Sequence, residues 1–218
     1  MRRVRLGVLV SGNGTNLQAL IDASREADYP AEVAVVISNV ATALALQRAR
    51  QAGIPAEVVA HKAFADRDAF ERRLLEILSA HRVELVCLAG FMRLVGSTFL
   101  SAYPSRVLNL HPALLPSFPG LHAVRQALEH GAKIAGCTVH FVDLGTDTGP
   151  IVAQAAVPVL SGDDEGALAA RIHAEEHRLY PLAVRLVASG RVRVEGRRVI
   201  TDASPECAGL SLRNPGAP

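Results

Sequence analysis

Asn109 and His111 are the residues whose type and spacing first suggest chemistry. They stand either side of Leu110, at the end of a short apolar run. In an extended strand, residues two apart point to the same face, and an adjacent amide and imidazole can polarise a carbonyl group and move a proton. Pro112 and Pro116 follow and prevent further regular structure. The pattern equally fits a strand that ends in a Pro-rich turn, with both side chains satisfying local backbone groups, and these two residues alone do not decide between the interpretations.

The composition is that of an ordinary globular protein. The 218 residues are 50% hydrophobic and 20% charged, with a formal net charge of +2 and a pI near 8.6. We expect no nucleic-acid or membrane partner, because no strong field would direct the chain to either. Cys87, Cys137 and Cys207 form no CxxC pair, which favours a reducing compartment and argues against a metal site. No run approaches the ~20 apolar residues that span a bilayer, so we expect a soluble, cytoplasmic protein.

The first half of the chain alternates between apolar strands and amphipathic helices. The pattern predicts strands at 4–10, 33–37, 56–59 and 85–89 and helices at 17–27, 42–51 and 66–80. Short links between such units predict a mostly parallel sheet with right-handed crossovers. Ligands of these sheets bind beyond the carboxyl ends of the strands, where we expect three stretches of chain: 12–16, 90–95 and 109–120.

The second half adds strands that the pattern does not link by helices. It predicts a helix at 123–130, strands at 136–142 and 152–159, an acidic loop at 143–150, a helix at 165–189 and a hairpin at 192–200. Pro158 places its strand near a sheet edge, and Pro181 implies a kink or break in the long helix. We expect an α/β, Rossmann-like doubly wound sheet, mostly parallel, with helices on both faces and some antiparallel strands in the C-terminal half. Residues 203–218 are expected to be a flexible tail.

A Gly-rich turn separates the first strand from the first helix. Its sequence, SGNGTN from Ser11 to Asn16, suggests an anion held by free N–H groups at a helix N-terminus. It lacks the third glycine of the dinucleotide fingerprint, and no acid follows the second strand to hold a ribose, so a nicotinamide cofactor is disfavoured. A phosphate-bearing small molecule is favoured over a purely structural turn.

Several stretches of the sequence resemble the phosphoribosylglycinamide (GAR) formyltransferases of purine biosynthesis. They are SGNGTNLQALID at 11–22, LAGFMRLV at 88–95, LNLHPALLPSFPGLHA at 108–123, VHFVDLGTDTGPI at 139–151, and the 175–181 segment of the long helix. The N-H-P, L-L-P and D-x-G-P pieces are shared by all folate formyl-transfer enzymes, whereas SGNGTN with PGLHA points to the GAR branch. The resemblance implies one formyltransferase domain over 1–202, with a GAR-phosphate-binding half at about 1–103 and a folate and catalytic half at about 104–202.

The resemblance implies transfer of the formyl group of 10-formyltetrahydrofolate to the amine of GAR. It assigns catalysis to Asn109, His111 and Asp147. Negative charge develops on the formyl oxygen as the amine attacks, so hydrogen-bond donors are needed there, and a nearby carboxylate favours a protonated imidazole. His111, or a water held by Asp147, would relay the proton from the amine to the folate nitrogen. Taken alone, Asp147 also fits an ordinary turn residue.

Binding residues follow from the same resemblance. It assigns GAR binding to Gly14, Thr15, Asn16, His173 and Glu176, although Glu176 also fits a solvated helix face. It assigns folate binding to Arg67, Met92, Arg93, Leu94, Val95, Asn109, Asp143, Leu144, Gly145, Thr146 and Asp147. Arg67 would meet the anionic folate tail, but it also fits a helix-surface arginine. For His140 a hydrogen-bonded core position is the simpler expectation. No metal is implied, and we expect a monomer or homodimer with small-molecule partners only.

Three other functions compete with this one. Methionyl-tRNA formyltransferases typically add a C-terminal nucleic-acid-binding domain, and formyltetrahydrofolate hydrolases an N-terminal regulatory domain. From the first strand at Val4 and the short stretch after Ile200, we expect neither addition. A non-catalytic nucleotide- or folate-binding module on the same sheet is the alternative of a different class.

Overall fold

The computed structural model describes residues 2–202, so the tail expected at 203–218, with Cys207, lies outside the described residues. The strands are β1 (Val4–Val10), β2 (Ala31–Ser38), β3 (Ala56–Val58), β4 (Leu85–Leu88), β5 (Val107–His111), β6 (Ile134–Phe141), β7 (Ile151–Pro158), β8 (Val192–Glu195) and β9 (Arg198–Thr201). The helices are α1 (Thr15–Ala23), α2 (Leu44–Gln51), α3 (Arg67–Ala80), α4 (Ser97–Ala102), α5 (Ala123–Glu129) and α6 (Glu165–Ala188).

Seven strands form one sheet in the order β3-β2-β1-β4-β5-β6-β7. The pairs from β3 to β5 are parallel, and β6 and β7 continue the sheet antiparallel, while β8 and β9 form a separate hairpin. The predicted fold class is therefore confirmed. The strand order reverses between β1 and β4, and this switch point is where such sheets leave a crevice for ligands.

Hydrophobic residues pack on both faces of the sheet. Within β1, Leu6, Val8 and Val10 belong to the core under α1 and α6, whereas Leu9 belongs to the core that includes residues of α3 and α4. This alternation follows from the period of two along a strand. The predicted arrangement with helices on both faces is thereby explained by residues that point alternately into two cores.

Of the kink or break predicted at Pro181, the break does not occur, because α6 runs from Glu165 to Ala188 without interruption. A proline inside a helix costs about 3 kcal/mol through a lost hydrogen bond and a steric clash. Tyr180, Ala183 and Val184 are fully buried around it. The Tyr29 hydroxyl also donates to the Pro181 carbonyl at 2.9 Å. Packing on this face therefore outweighs the local cost.

Other differences concern element ends and one short helix. Helix α1 begins at Thr15 and ends at Ala23, against the predicted 17–27, and α4 was not predicted from the sequence. Strand β7 lies at the sheet edge, as Pro158 indicates. Within residues 2–202 no helix has the length and apolar character needed to cross a membrane. In the same range, no three His, Cys, Asp or Glu side chains group as metal ligands would.

Candidate active site

Asn109, His111 and Asp147 meet at the end of β5. The Asn109 Nδ2 lies 3.4 Å from Asp147 Oδ1, and the His111 Nδ1 lies 3.3 Å from Asp147 Oδ2. Leu108 and Leu110 belong to the core under α6, so the alternating Asn109 and His111 point to the opposite face. The loop after β6 brings Asp147 onto that face. The structure thus joins the three side chains to which the resemblance assigned catalysis.

Both ring nitrogens of His111 face hydrogen-bond acceptors. The Nε2 lies 2.8 Å from the Phe118 carbonyl oxygen, and the Nδ1 faces the Asp147 carboxylate. A carbonyl and a carboxylate only accept, so the doubly protonated, cationic imidazole is the form that satisfies both. Phe118 has a φ of 53°, an unfavourable conformation for an aromatic residue, and such strain is typical of functional sites.

The Asp147 carboxylate is held ionised by its surroundings. Burial alone would raise its pKa, but His140, the Gly120 N–H and the charge of His111 together outweigh burial and lower the pKa from its ordinary value of 3.8. The Gly120 N–H donates to Oδ2 at 2.8 Å. Asp147 has a φ of 54°, a left-handed conformation that aspartate and asparagine tolerate better than most residues. The carboxylate is therefore suited to hold a cationic His111.

His140, expected as a hydrogen-bonded core histidine, also belongs to this cluster. It is buried and pairs with Asn109 across the β5–β6 ladder. Its Nδ1 lies 2.8 Å from the Phe141 carbonyl oxygen and its Nε2 lies 3.2 Å from Asn109 Nδ2. The same Nε2 lies 3.6 Å from Asp147 Oδ1, so His140 contacts both Asn109 and Asp147. The sequence analysis did not include the β5–β6 register, which places His140 opposite Asn109.

The Gly-rich turn leaves N–H groups of α1 available. Gly14 is the N-cap, with a φ of 72° and no side-chain cap, and a Cβ there would lie 2.6 Å from the Ala45 Cβ. The first helical bond runs from the Gln18 N–H to the Gly14 carbonyl, so the Thr15 and Asn16 N–H groups precede the ladder. Such groups bind anions at helix N-termini. The Arg48 guanidinium, bonded to the Asn13 carbonyl at 2.8 Å, adds positive charge beside the turn.

A buried carboxylate lies next to this turn. Glu176 is only 3% exposed, which rules out the solvated helix face, and its Oε2 accepts from Asn16 Nδ2 at 2.8 Å. The Asn16 Oδ1 is buried without a partner among the described residues. His173, one turn earlier on α6, is exposed and forms no hydrogen bond or ion pair within residues 2–202. His177 Nε2 is buried and also without a partner in that range, a feature that the sequence did not reveal.

The stretch 92–95 connects to the Gly-rich turn. The Met92 N–H donates to the Ser11 hydroxyl at 2.9 Å, and the Ser11 N–H donates to the Gly90 carbonyl at 3.1 Å. Met92 and Leu94 are 63% and 67% exposed, Arg93 is exposed and Val95 is buried. The loop therefore presents apolar side chains and backbone on a fixed frame, which suits a flat ring.

The side chain of Asp143 stabilises the conformation of the acidic loop after β6. The Asp143 Oδ1 accepts from the Gly145 N–H at 3.1 Å and from the Thr148 hydroxyl at 2.7 Å. Leu144 is 75% exposed, and Gly145 and Thr146 are exposed as well. Asp143 thus fixes the turn that presents Asp147, whereas the exposed residues between them are free to contact a ligand.

The fold is that of a formyl transferase. The profile of the family described as Formyl transferase matches residues 4–184, and the chain belongs to that family. It is 46% identical to phosphoribosylglycinamide formyltransferase of Escherichia coli K12, over 86% of this chain and 88% of that one. The structure of glycinamide ribonucleotide transformylase 1 from Symbiobacterium toebii superposes with a TM-score of 0.90 at 59% identity, covering 91% of this chain and 94% of that one.

Longer relatives contain the same region. The chain is 53% identical to the trifunctional purine biosynthetic protein adenosine-3 of Drosophila melanogaster, over 87% of this chain. It spans only 14% of the length of that protein and 19% of the human one, which is 45% identical. The similarity therefore concerns one part of those relatives.

Proposed function

We propose that this chain transfers the formyl group of 10-formyltetrahydrofolate to the amine of GAR, giving formyl-GAR and tetrahydrofolate in purine biosynthesis. The observation that carries the proposal is the Asp147 carboxylate in contact with Asn109 and His111 at the end of β5. Relatives that match nearly end to end carry the name of this activity. The other proposed properties are a cytoplasmic location, no metal, and action as a monomer or homodimer on small molecules.

Catalysis rests on positioned donors and one proton path. As the GAR amine attacks the formyl carbon, charge develops on the formyl oxygen, and an Asn109 N–H together with the positive charge of a doubly protonated His111 stabilises it. Asp147 contacts the His111 Nδ1 at 3.3 Å and so orients the ring. The amine must lose a proton and the folate nitrogen must gain one, so His111 or a water bound to Asp147 relays it.

Binding of the two substrates uses separate parts of the crevice. The α1 N-terminus, at Gly14, Thr15 and Asn16, receives the GAR phosphate. The Glu176 carboxylate, which has one protein partner, accepts from the ribose hydroxyls, and His173 lies on the same side of α6. The folate ring lies against the backbone of 92–95 and 143–147, and Arg67 meets the anionic tail.

The test follows an isotope label in the formyl group. The protein is mixed with GAR and 10-formyltetrahydrofolate carrying a ¹³C-formyl group, and the products are analysed by mass spectrometry. We expect label in formyl-GAR, with turnover that requires both substrates. Label released as formate without GAR would indicate a hydrolase, and tight binding without product would indicate a non-catalytic module. Either of those outcomes contradicts the proposal.

A further inference from the structure

Glu71, on α3, is a fully buried carboxylate outside the catalytic cluster, at 0% exposure. Its Oε1 accepts from the Gly96 N–H at 2.6 Å and its Oε2 from the Phe99 N–H at 3.1 Å. These are the N-cap and first-turn donors of α4, which has no side-chain cap of its own. A carboxylate at a helix N-terminus satisfies free donors and complements the helix dipole. Glu71 therefore holds α4 and the end of the 92–95 loop from a distance in sequence.

The same carboxylate contacts Arg67, one turn earlier on α3. The Arg67 Nε lies 3.7 Å from Glu71 Oε1. The guanidinium also lies against the loop, because a Cβ added to Gly96 would come within 2.8 Å of Arg67 Nη2. The Arg67 side chain remains 58% exposed. One side of the guanidinium thus lies against Glu71 and Gly96, and the other side is exposed and available to an anion.

We propose that Glu71 is a positioning residue that sets the Arg67 guanidinium for an anionic substrate tail. It fixes that guanidinium to the backbone against which the folate ring lies. The proposal rests on the proposed function and deepens it by naming what determines the preference for a donor with a carboxylate tail. The other end of the loop is fixed by the bond from Met92 N–H to Ser11. The distance between the 92–95 backbone, which contacts the folate ring, and Arg67, which contacts the tail, is then fixed before folate binds.

The physical gain lies in the freedom removed from Arg67. A free, exposed arginine has many rotamers, and fixing it on binding costs side-chain entropy. Contact with Glu71 and Gly96 restricts it beforehand. Such preorganisation favours a donor whose carboxylates reach the guanidinium and gives nothing to a donor without them.

The test compares two donors that differ only in the tail. These are 10-formyltetrahydrofolate, which carries the glutamate, and the primary amide of 10-formyltetrahydropteroate, which carries neither the glutamate nor a free carboxylate; kcat and KM are measured for each. We expect Glu71→Gln to reduce the preference in kcat/KM for the tailed donor about tenfold, because the loss of one charge-assisted contact lowers affinity by about that factor. The kcat for the amide donor should stay within about twofold of the wild-type value. The control is Glu76→Gln, which removes an exposed carboxylate from the same helix and should leave the preference intact.

A second variant moves Arg67 without touching the carboxylate. Gly96 has a φ of −103°, which alanine adopts without strain, so Gly96→Ala displaces mainly the flexible guanidinium. We expect it to lower the tail preference as well, and it carries the test if Glu71→Gln does not fold. An unchanged preference in the folded variants, or an equal loss for both donors, would overturn the proposal.

Calorimetric binding of the same two compounds separates this proposal from the proposed function. If the wild-type protein binds both without transferring formyl groups, the proposed function fails. The binding preference for the tail and its loss in Glu71→Gln still decide the role of Glu71.

Discussion

Asp147 and Glu176 are both largely buried carboxylates beside the crevice, but the protein satisfies them differently. Asp147 has contacts to Asn109, His111 and the Gly120 N–H. Glu176 accepts one hydrogen bond, from Asn16, whose own Oδ1 has no partner within residues 2–202. The proposed catalytic cluster is therefore satisfied by residues that the structure describes, whereas the α1–α6 region leaves hydrogen-bonding capacity for a ligand to use.

This difference separates the two tasks of the site. Catalysis requires donors and charges that are fixed before the transition state forms, so that no reorganisation is paid during the reaction. Recognition of a polar substrate requires buried groups whose hydrogen bonds the substrate completes, because an analogue lacking its hydroxyls then leaves them unsatisfied. We expect changes in the first region to lower kcat and changes in the second to raise KM.

The largest effect in this comparison is expected for His111→Gln. Glutamine donates hydrogen bonds but carries no positive charge and relays no proton, so kcat should fall by about 10²–10⁴ with KM for GAR nearly unchanged. Steady-state kinetics measure both. The control His81→Gln changes a histidine at the end of α3, whose carbonyl accepts from Arg5, and should retain wild-type rates. A kcat for His111→Gln close to that of the wild type would contradict the assignment.

For Glu176→Gln we expect a smaller effect, and we expect it on KM for GAR instead of kcat. Loss of a charged acceptor for the substrate hydroxyls should raise KM for GAR about 10- to 100-fold and leave kcat nearly constant. The neighbouring Glu175→Gln is the matched control, since Glu175 pairs with Arg178 instead. If Glu176→Gln lowered kcat and left KM unchanged, the division between the two regions would fail.

The stability of Glu176→Gln without ligand also tests the comparison between Glu176 and Asp147. A buried carboxylate with a single partner is costly, so Glu176→Gln should leave the free energy of unfolding unchanged or raise it by about 1 kcal/mol. Urea unfolding measures this. In thermal melts, the rise in Tm that GAR gives the wild type should shrink. A clearly destabilised ligand-free variant would show that Glu176 serves the fold.

The pH dependence of stability distinguishes Asp147, the carboxylate whose hydrogen bonds are made within the protein. The folded-state pKa of Asp147 lies below 3.8, so its contribution to stability is present above that value and is lost as the pH falls through the folded pKa. Asp147→Asn should therefore be less stable than the wild type at neutral pH, and the difference should diminish in strongly acidic buffer. Unfolding by urea across this range measures the difference. A gap that widened on acidification would contradict the sign.

Local pattern accounts for most of the fold but not for features held by distant residues. The strands of the parallel region and the Gly-rich turn follow from periodicity and turn residues. Helix α4 has six residues and is capped by Glu71 from α3, so the local sequence does not predict it. The continuity of α6 through Pro181 depends on burial against the sheet, which single-sequence propensity does not contain.

The site divides in the same way. Asn109 and His111 are visible as a pair because the strand period places them on one face. Asp147 alone resembles any turn aspartate, and only the resemblance linked it to them. The contact of His140 with Asn109 depends on the β5–β6 register, and the burial of Glu176 depends on how α6 packs. Neither the contact nor the burial can be inferred from the local sequence.

The central claim is that Asp147 makes the cluster catalytic, and Asp147→Asn tests it most directly. Asparagine tolerates the φ of 54°, so the loop should keep its conformation. The measurement is the single-turnover rate of formyl transfer, together with Kd for GAR and for 10-formyltetrahydrofolate. We expect a folded variant with both Kd values close to those of the wild type and a rate lower by about 10³ or more, because the His111 cation loses its partner. A folded variant with the wild-type rate would contradict the claim.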